Sequence, residues 1–292
     1  MKGIFIDENR KLVKELCKTD AKKYKLICTD IDGTLLDDNK ELPLQVKESR
    51  RNAAKKGIRI ALASGRMPIG VEAVEKELGV PCIKICNAGT YIILGDQCIG
   101  METLLPKTVK SIYFDIARKN HLPLWIFQEK DWYVTDIDRY IEREIEIIRY
   151  QPRIVSVDKM AEQWEKEKTG PNKLLIAADP EIIRGIYQEM ADKNWTDVDM
   201  ACSADTFLEI FPKGVSKGTA VSAICERLDI SLEDTIAFGD HELDISMIEK
   251  AGVGIAMGNA IDDLKKKADF VTKTNNEAGV AYALEYYLAD GE

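Results

Sequence analysis

With 292 residues, 45% hydrophobic and 31% charged, the chain has room for two domains of ordinary size and enough apolar material for a sizeable core, which argues against intrinsic disorder. Acidic residues outnumber basic ones by 50 to 41, and the net charge of -9 sets up a long-range field that repels polyanions, so no nucleic-acid partner is expected. Seven scattered cysteines without a CxxC pair, only two histidines, no apolar h-region in MKGIFIDENRKLVKEL and no run of about 18 apolar residues argue against zinc, a disulfide framework, a leader and a membrane partner; a cytoplasmic location is expected.

Residues 1–23 are polar and charged, with Leu12 and Leu16 one helical turn apart; a short docked helix or a loose N-terminal arm is expected there, and no chemistry is assigned to it. From Lys25 the pattern becomes regular. Leu26-Ile27-Cys28 predicts a buried strand ending at Asp30, and Pro43 to Lys56 predicts a helix with Pro in its first turn and Gly57 past its end. Ile58 to Ala63 is a second buried strand stopped by Ser64-Gly65, a helix runs to Leu78 before Gly79, and Cys82–Cys86 is a third strand. Such alternation with short connections is the mark of a parallel sheet covered on both faces.

Near Asn87 the pattern changes. Hairpins are predicted at Tyr91–Ile99 and Leu124–Thr135, and a helix over Thr108–Asn120. Further helices around Arg139–Tyr150 and Glu181–Asn194 flank a strand at Lys173–Ala177, and strands near Val198 and Phe207–Phe211 lead out. After Phe211 the strand-helix alternation resumes: helix Ser216–Leu228, strand Thr235–Gly239, helix Asp244–Ala251, strand Val253–Ala256, helix Ile261–Ala268 and helix Gly279–Leu288. The expected fold class is α/β: a core of residues 24–87 and 205–292, split by an inserted α+β domain over 88–204.

In an open parallel sheet, ligands bind beyond the carboxyl ends of the strands. Four segments lie at such places or at a helix start: Asp30-Ile-Asp32-Gly33-Thr34, Ser64-Gly65-Arg66, Lys213-Gly-Val-Ser-Lys217-Gly218, and Gly239-Asp240 with Asp244. The first is not a calcium loop, because Leu35 stands where the loop needs Gly and a strand precedes it. Nor is GVSKGT a nucleotide P-loop, since its Gly-to-Lys spacing is wrong. Carboxylates of Asp30, Asp32, Asp240 and Asp244 gathered at one sheet edge would repel each other by about 4 kcal/mol per pair at 4 Å and an effective dielectric near 20, which a divalent cation relieves. Oxygen-only ligands favour magnesium over zinc, and such an ion explains how an acidic protein holds a phosphate. Lys217, the Ser64 hydroxyl and the backbone amides after Asp32 and Ser64 supply further donors to the same anion.

These motifs, DIDGTL (30–35), ALASGR (61–66), SKGTA (216–220) and GDHELD (239–244), with AMGNA (256–260) and VTKTNNEAGVAYAL (271–284) behind them, resemble the haloacid dehalogenase superfamily, and within it the Cof-type phosphatases of subfamily IIB. The resemblance covers nearly everything after Tyr24 and implies a Rossmann-like core with the insert as a cap that closes over the site and selects substrates. It implies Asp30 as the nucleophile that forms an aspartyl-phosphate and Asp32 as general acid and then base, with a pKa raised by its surroundings. It also implies Mg2+ held by Asp30, the Asp32 backbone carbonyl, Asp240 and Asp244, and phosphoryl oxygens held by Gly33, Ser64, Gly65 and Lys217. The substrate class is a small phosphorylated metabolite, a sugar phosphate or phosphorylated cofactor; a phosphomutase or a non-catalytic phospholigand-binding member are the alternatives.

Two departures stand out. Leu243 replaces the family's usual Asn before the last motif aspartate, and Asn87-Ala-Gly89 replaces Asn-Gly-Ala at the cap hinge. Arg66 is expected to contact a substrate anion or pair with a nearby carboxylate. Asn259 and Asn275 suit turns or the site's edge. Trp125, Phe127, Trp132 and Tyr133 either face a substrate pocket or make the cap's own core.

Overall fold

The computed structural model describes residues 24–193 and 195–289; the N-terminal arm, with Leu12, Leu16 and Cys17, lies outside the described residues. The chain enters through β1 (Leu26–Asp30), every residue of which is buried, and passes through α1 (Leu44–Lys55), β2 (Arg59–Ala63), α2 (Pro68–Leu78) and β3 (Cys82–Cys86). Local chemistry sets the boundaries. Pro68 opens α2, where its missing N–H costs nothing, and Gly79 closes it at φ 71, its amide donating to the Glu75 carbonyl. A hairpin, β4 (Tyr91–Leu94) and β5 (Gln97–Met101), follows.

The inserted segment then builds α3 (Pro106–Ile112) with a π-helical turn at Tyr113–Ala117, β6 (Trp125–Gln128), β7 (Asp131–Val134), α4 (Arg139–Ile148), β8 (Arg153–Ile154), α5 (Val157–Glu167), β9 (Lys173–Ala177), α6 (Pro180–Asp192), β10 (Val198–Ala204) and β11 (Phe207–Pro212). The chain returns through α7 (Lys217–Leu228), β12 (Thr235–Gly239), α8 (Ile245–Lys250), β13 (Val253–Ala256), α9 (Asp262–Lys267), β14 (Phe270–Val271) and α10 (Gly279–Tyr287).

Two sheets result. The first runs β14-β13-β12-β1-β2-β3-β4-β5, parallel from β14 through β3 and antiparallel beyond. The second runs β10-β11-β9-β6-β7-β8 and is antiparallel except where β8 joins β7. Helices cover the first sheet around Leu26, Ile60, Leu62, Val71, Phe238 and Ile255, all buried; each such side chain contributes about 1.5–3 kcal/mol relative to exposure.

Strand pairing moves both edges expected for the insert. The 91–101 hairpin, assigned by sequence to the insert, hydrogen-bonds to β3 of the first sheet. Strand β11, assigned to the core, pairs with β9 and β10 in the second sheet. Turn chemistry locates a hairpin without saying which sheet edge it extends. Helix α5 and strands β8 and β14 are additional to the expected elements, and the helix expected over Thr108–Asn120 changes to a π turn after Ile112.

The aromatic stripe is a core, not a pocket wall. Trp125, Phe127 and Trp132 are buried with Ile141 of α4 and with Met67 from the start of α2, so this cluster also joins cap to core. Tyr133 is half-buried, with Arg153 stacked 4.8 Å over its ring.

Candidate active site

Register brings the motifs together. Asp30 pairs with Ala63 and Thr29 with Phe238, so β1, β2 and β12 end level, and Asp30, Ser64 and Asp240 emerge side by side. Carboxylate oxygens of Asp30, Asp240 and Asp244 lie within 4.8 Å of one another. Lys217, buried at the start of α7, donates to Asp30 Oδ1 at 2.5 Å and to Asp244 Oδ1 at 2.6 Å. The other Asp244 oxygen accepts from the backbone amides of Asp240 and His241, both at 3.0 Å. Four of the sequence-predicted residues, Asp30, Lys217, Asp240 and Asp244, thus form one cluster.

Burial and proximity set their charge states. Burial pushes the Asp30 carboxyl well above its ordinary range, opposed by Lys217 and reinforced by Asp244 and Asp240. Asp240 is pushed up to about 6, by burial first and then by Asp244, against the Thr34 hydrogen bond. Burial draws the Lys217 ammonium down, but Asp244 and Asp30 outweigh it and hold its pKa above the usual lysine value.

Asp32 stands apart, and its environment reverses the expectation drawn from the family. Arg66 donates to both its carboxylate oxygens at 2.7 Å, and Lys40 donates to Oδ1 at 2.9 Å. Burial alone would raise its pKa, yet the hydrogen bonds and charge of Arg66, with Lys40, pull it below the ordinary value. Its side chain does not join the three-carboxylate group. The ion-pair expectation for Arg66 holds.

The supports of this centre were named by sequence only as motif, turn or edge residues, without these contacts. Thr34 Oγ1 donates to Asp240 Oδ1 at 2.6 Å, tying the loop after β1 to the loop after β12. Gly33, at φ 80, lets Asp240 approach so closely that a Cβ there would clash with the Asp240 carboxylate. Asn259 donates to the Gly33 carbonyl at 2.8 Å and accepts from the Asn275 amide at 3.0 Å, while buried Asn275 donates to the Leu36 carbonyl at 3.1 Å. Both asparagines therefore brace the first loop.

Around Ser64 the core meets the cap. Ser64 is buried and its Oγ accepts from the Arg66 amide at 3.1 Å. The Gly65 carbonyl accepts from Lys173 Nζ at 2.6 Å, and Lys173 pairs with Glu209 at 3.2 Å. Glu144 of α4, half-buried, has its carboxyl raised by burial and lowered by Lys173 and Arg66. The signal for Lys173 and Glu209 was present: each is a charged residue within an otherwise apolar strand, KLLIA and FLEIF. Nothing local marked Lys40.

The donor set suits a hard divalent cation, since three buried or half-buried carboxylates converge with no thiol or imidazole among the gathered atoms. A parallel core sheet that gathers aspartates at its strand ends, with an inserted mixed sheet touching the loop after β2, defines a two-layered α/β protein with a candidate metal centre.

A model of the haloacid dehalogenase-like hydrolase family matches residues 27–284, and the chain belongs to that family, in its Cof-type branch. The chain is 30% identical to "Phosphatase YwpJ" of Bacillus subtilis over 286 residues, covering 90% of this chain and 100% of that protein. It is 29% identical to "5-amino-6-(5-phospho-D-ribitylamino)uracil phosphatase YwtE" of the same organism over 296 residues, with 91% and 98% covered. The crystal structure of a haloacid dehalogenase-like hydrolase from Bacteroides thetaiotaomicron superposes with a TM-score of 0.78 at 31% identity, with 90% and 99% covered. With these relatives, the enzyme class is phosphatase.

Proposed function

We propose that the chain is a magnesium-dependent phosphatase that hydrolyses small phosphorylated metabolites, sugar phosphates or phosphorylated cofactors, through an aspartyl-phosphate on Asp30. The observation that carries this reading is the convergence of Asp30, Asp240 and Asp244 at the shared end of β1 and β12, with Lys217 bridging Asp30 and Asp244. A relative named for a phosphoribitylamino compound supports a small polyol phosphate as the kind of substrate.

Asp30, the Asp32 backbone carbonyl, Asp240 and Asp244 would hold Mg2+, which supplies positive charge against the carboxylates and the phosphoryl oxygens. Burial favours the neutral Asp30 carboxyl; the Lys217 ammonium 2.5 Å away opposes this, and a bound cation would add to that opposition and favour the carboxylate that attacks phosphorus. Ser64 and Lys217 receive the phosphoryl oxygens. As the bond to the substrate breaks, Asp32 gives a proton to the leaving oxygen; it acquires that proton when its pairing with Arg66 and Lys40 opens. Water then attacks the aspartyl-phosphate, Asp32 takes the water proton, and phosphate leaves with Asp30 restored.

The test is magnesium-dependent release of p-nitrophenol from p-nitrophenyl phosphate by wild type and Asp30→Asn. Activity is expected to vanish in the variant, whereas equal rates would remove Asp30 from the mechanism.

A further inference from the structure

Gly65 belongs to a core motif, yet its surroundings come from the cap. Its carbonyl accepts from Lys173 Nζ of β9, and a methyl group on Gly65 would stand 3.2 Å from Glu209 Oε1 of β11. That separation is tighter than ordinary carbon–oxygen contacts, so the glycine makes room for a cap carboxylate. Both cap side chains are at most 5% exposed, and Lys173 Nζ also sits 4.8 Å above the Phe127 ring. Burying such a pair costs the desolvation of both ions, which the geometry must offset. Here the ammonium meets a carboxylate, a carbonyl and an aromatic face.

The Gly65 carbonyl and the Arg66 N–H are the two ends of one planar peptide unit. Lys173 grips the oxygen end, and the hydrogen end donates to Ser64 Oγ at 3.1 Å. Because the Ser64 oxygen accepts that bond, its own hydrogen is left for an acceptor beyond the loop. A rotation of this peptide would withdraw the Arg66 amide from Ser64 and shift the guanidinium that grips Asp32. One cap ammonium therefore fixes both.

We infer that Lys173, held by Glu209, is a positioning residue: it locks the Gly65–Arg66 peptide in the orientation that aims Ser64 at the phosphoryl group, and so couples cap docking to phosphate binding. This rests on the reading of Ser64 as a phosphoryl-holding residue. It ties the cap to the phosphate, the part shared by all substrates of the class, and not to the variable leaving group.

Titration calorimetry of inorganic phosphate, with MgCl2 present, on the full chain tests the coupling without turnover. The neutral exchange Lys173→Met/Glu209→Gln leaves no buried charge unpaired, and it should weaken phosphate binding about tenfold, the equivalent of one strong hydrogen bond, with the cap still folded by circular dichroism. Gly65→Ala should weaken phosphate binding similarly, and its effect should shrink in the double-variant background, since both act on one peptide. A merely structural pair would lower the melting temperature and leave phosphate affinity alone. Wild-type affinity in a folded double variant overturns the inference; if that variant does not fold, wild-type affinity in Gly65→Ala does so. A wild type that binds phosphate without hydrolysing any ester would end the phosphatase reading but not this one, whereas a wild type that binds no phosphate ends both.

Discussion

Asp240 carries a pH signature that a single substitution can test. Its pKa rises from the ordinary 3.8 to about 6, by burial and then by Asp244, so between those values the folded chain keeps a proton that the unfolded chain releases. Stability contributed by this group is therefore present at low pH and lost as pH rises through 6. Asp240→Asn should stabilise the metal-free protein by about 1–2 kcal/mol at pH 8 and by little at pH 4, read from melting temperatures at both. A difference independent of pH would mean that Asp240 is not strained by its neighbours. Leu243 gives a second prediction. It lines a cavity of about 330 Å3 with Ser216, Lys217, Phe211 and Ala201, and its side chain can donate to nothing. Leu243→Asn should preserve or raise kcat on p-nitrophenyl phosphate; a severe loss would show that the apolar side chain serves the site. Motif spacing made Asp30, Ser64, Lys217, Asp240 and Asp244 legible in the sequence because each follows an apolar run or opens a helix. The depressed Asp32 was not, since Arg66 lies a strand away and Lys40 carries no local mark.

Among the elements, those with an unbroken apolar run or a Pro-to-Gly frame were legible to within a residue or two: β1, α1, β2, α2 and β12 are examples. Pairing partners were not, because alternation states which way a side chain points and never which strand lies alongside. That is why the 91–101 hairpin and β11 exchanged sheets. Helix α5 hid in VDKMAEQWEKE, where only Val157, Ala161 and Trp164 are buried and charge masks the period. The loop after β1 is the element on which the centre depends most: Gly33 at φ 80, the Thr34 bond to Asp240 and the Asn259 bond to the Gly33 carbonyl hold it against β12. Gly33→Ala both strains the backbone and drives a methyl group into the Asp240 carboxylate. A displacement of about 1 Å at this contact should lower kcat/KM about 10²-fold. Steady-state kinetics alongside an unchanged far-ultraviolet spectrum would register it, and undiminished kcat/KM would show that the loop tolerates a wider separation from β12.

At the scale of the whole molecule, chain segments some two hundred residues apart converge, and the insert between them adds an apolar core of its own. The cluster at the convergence is acidic inside a chain of net charge -9, and Lys217 is the ammonium that bridges Asp30 and Asp244 within it. A cation bound there joins β1 to the loop after β12, so it binds the folded chain and finds no equivalent site in the unfolded one. Linkage then requires that removal of the metal lower stability, by about 2.7 kcal/mol relative to a solution holding the ion at 100 times its dissociation constant. For domains of about 150–250 residues a kilocalorie shifts the midpoint by about 2–4 °C, so Mg2+ added to chelator-treated protein should raise the melting temperature by roughly 5–10 °C. Asp240→Asn removes a carboxylate from the set and should abolish most of that rise while itself melting no lower than the metal-free wild type at pH 8. An equal magnesium-induced rise in both proteins would place the ion elsewhere, because a site built on Asp30, Asp240 and Asp244 cannot lose one carboxylate in three without losing affinity.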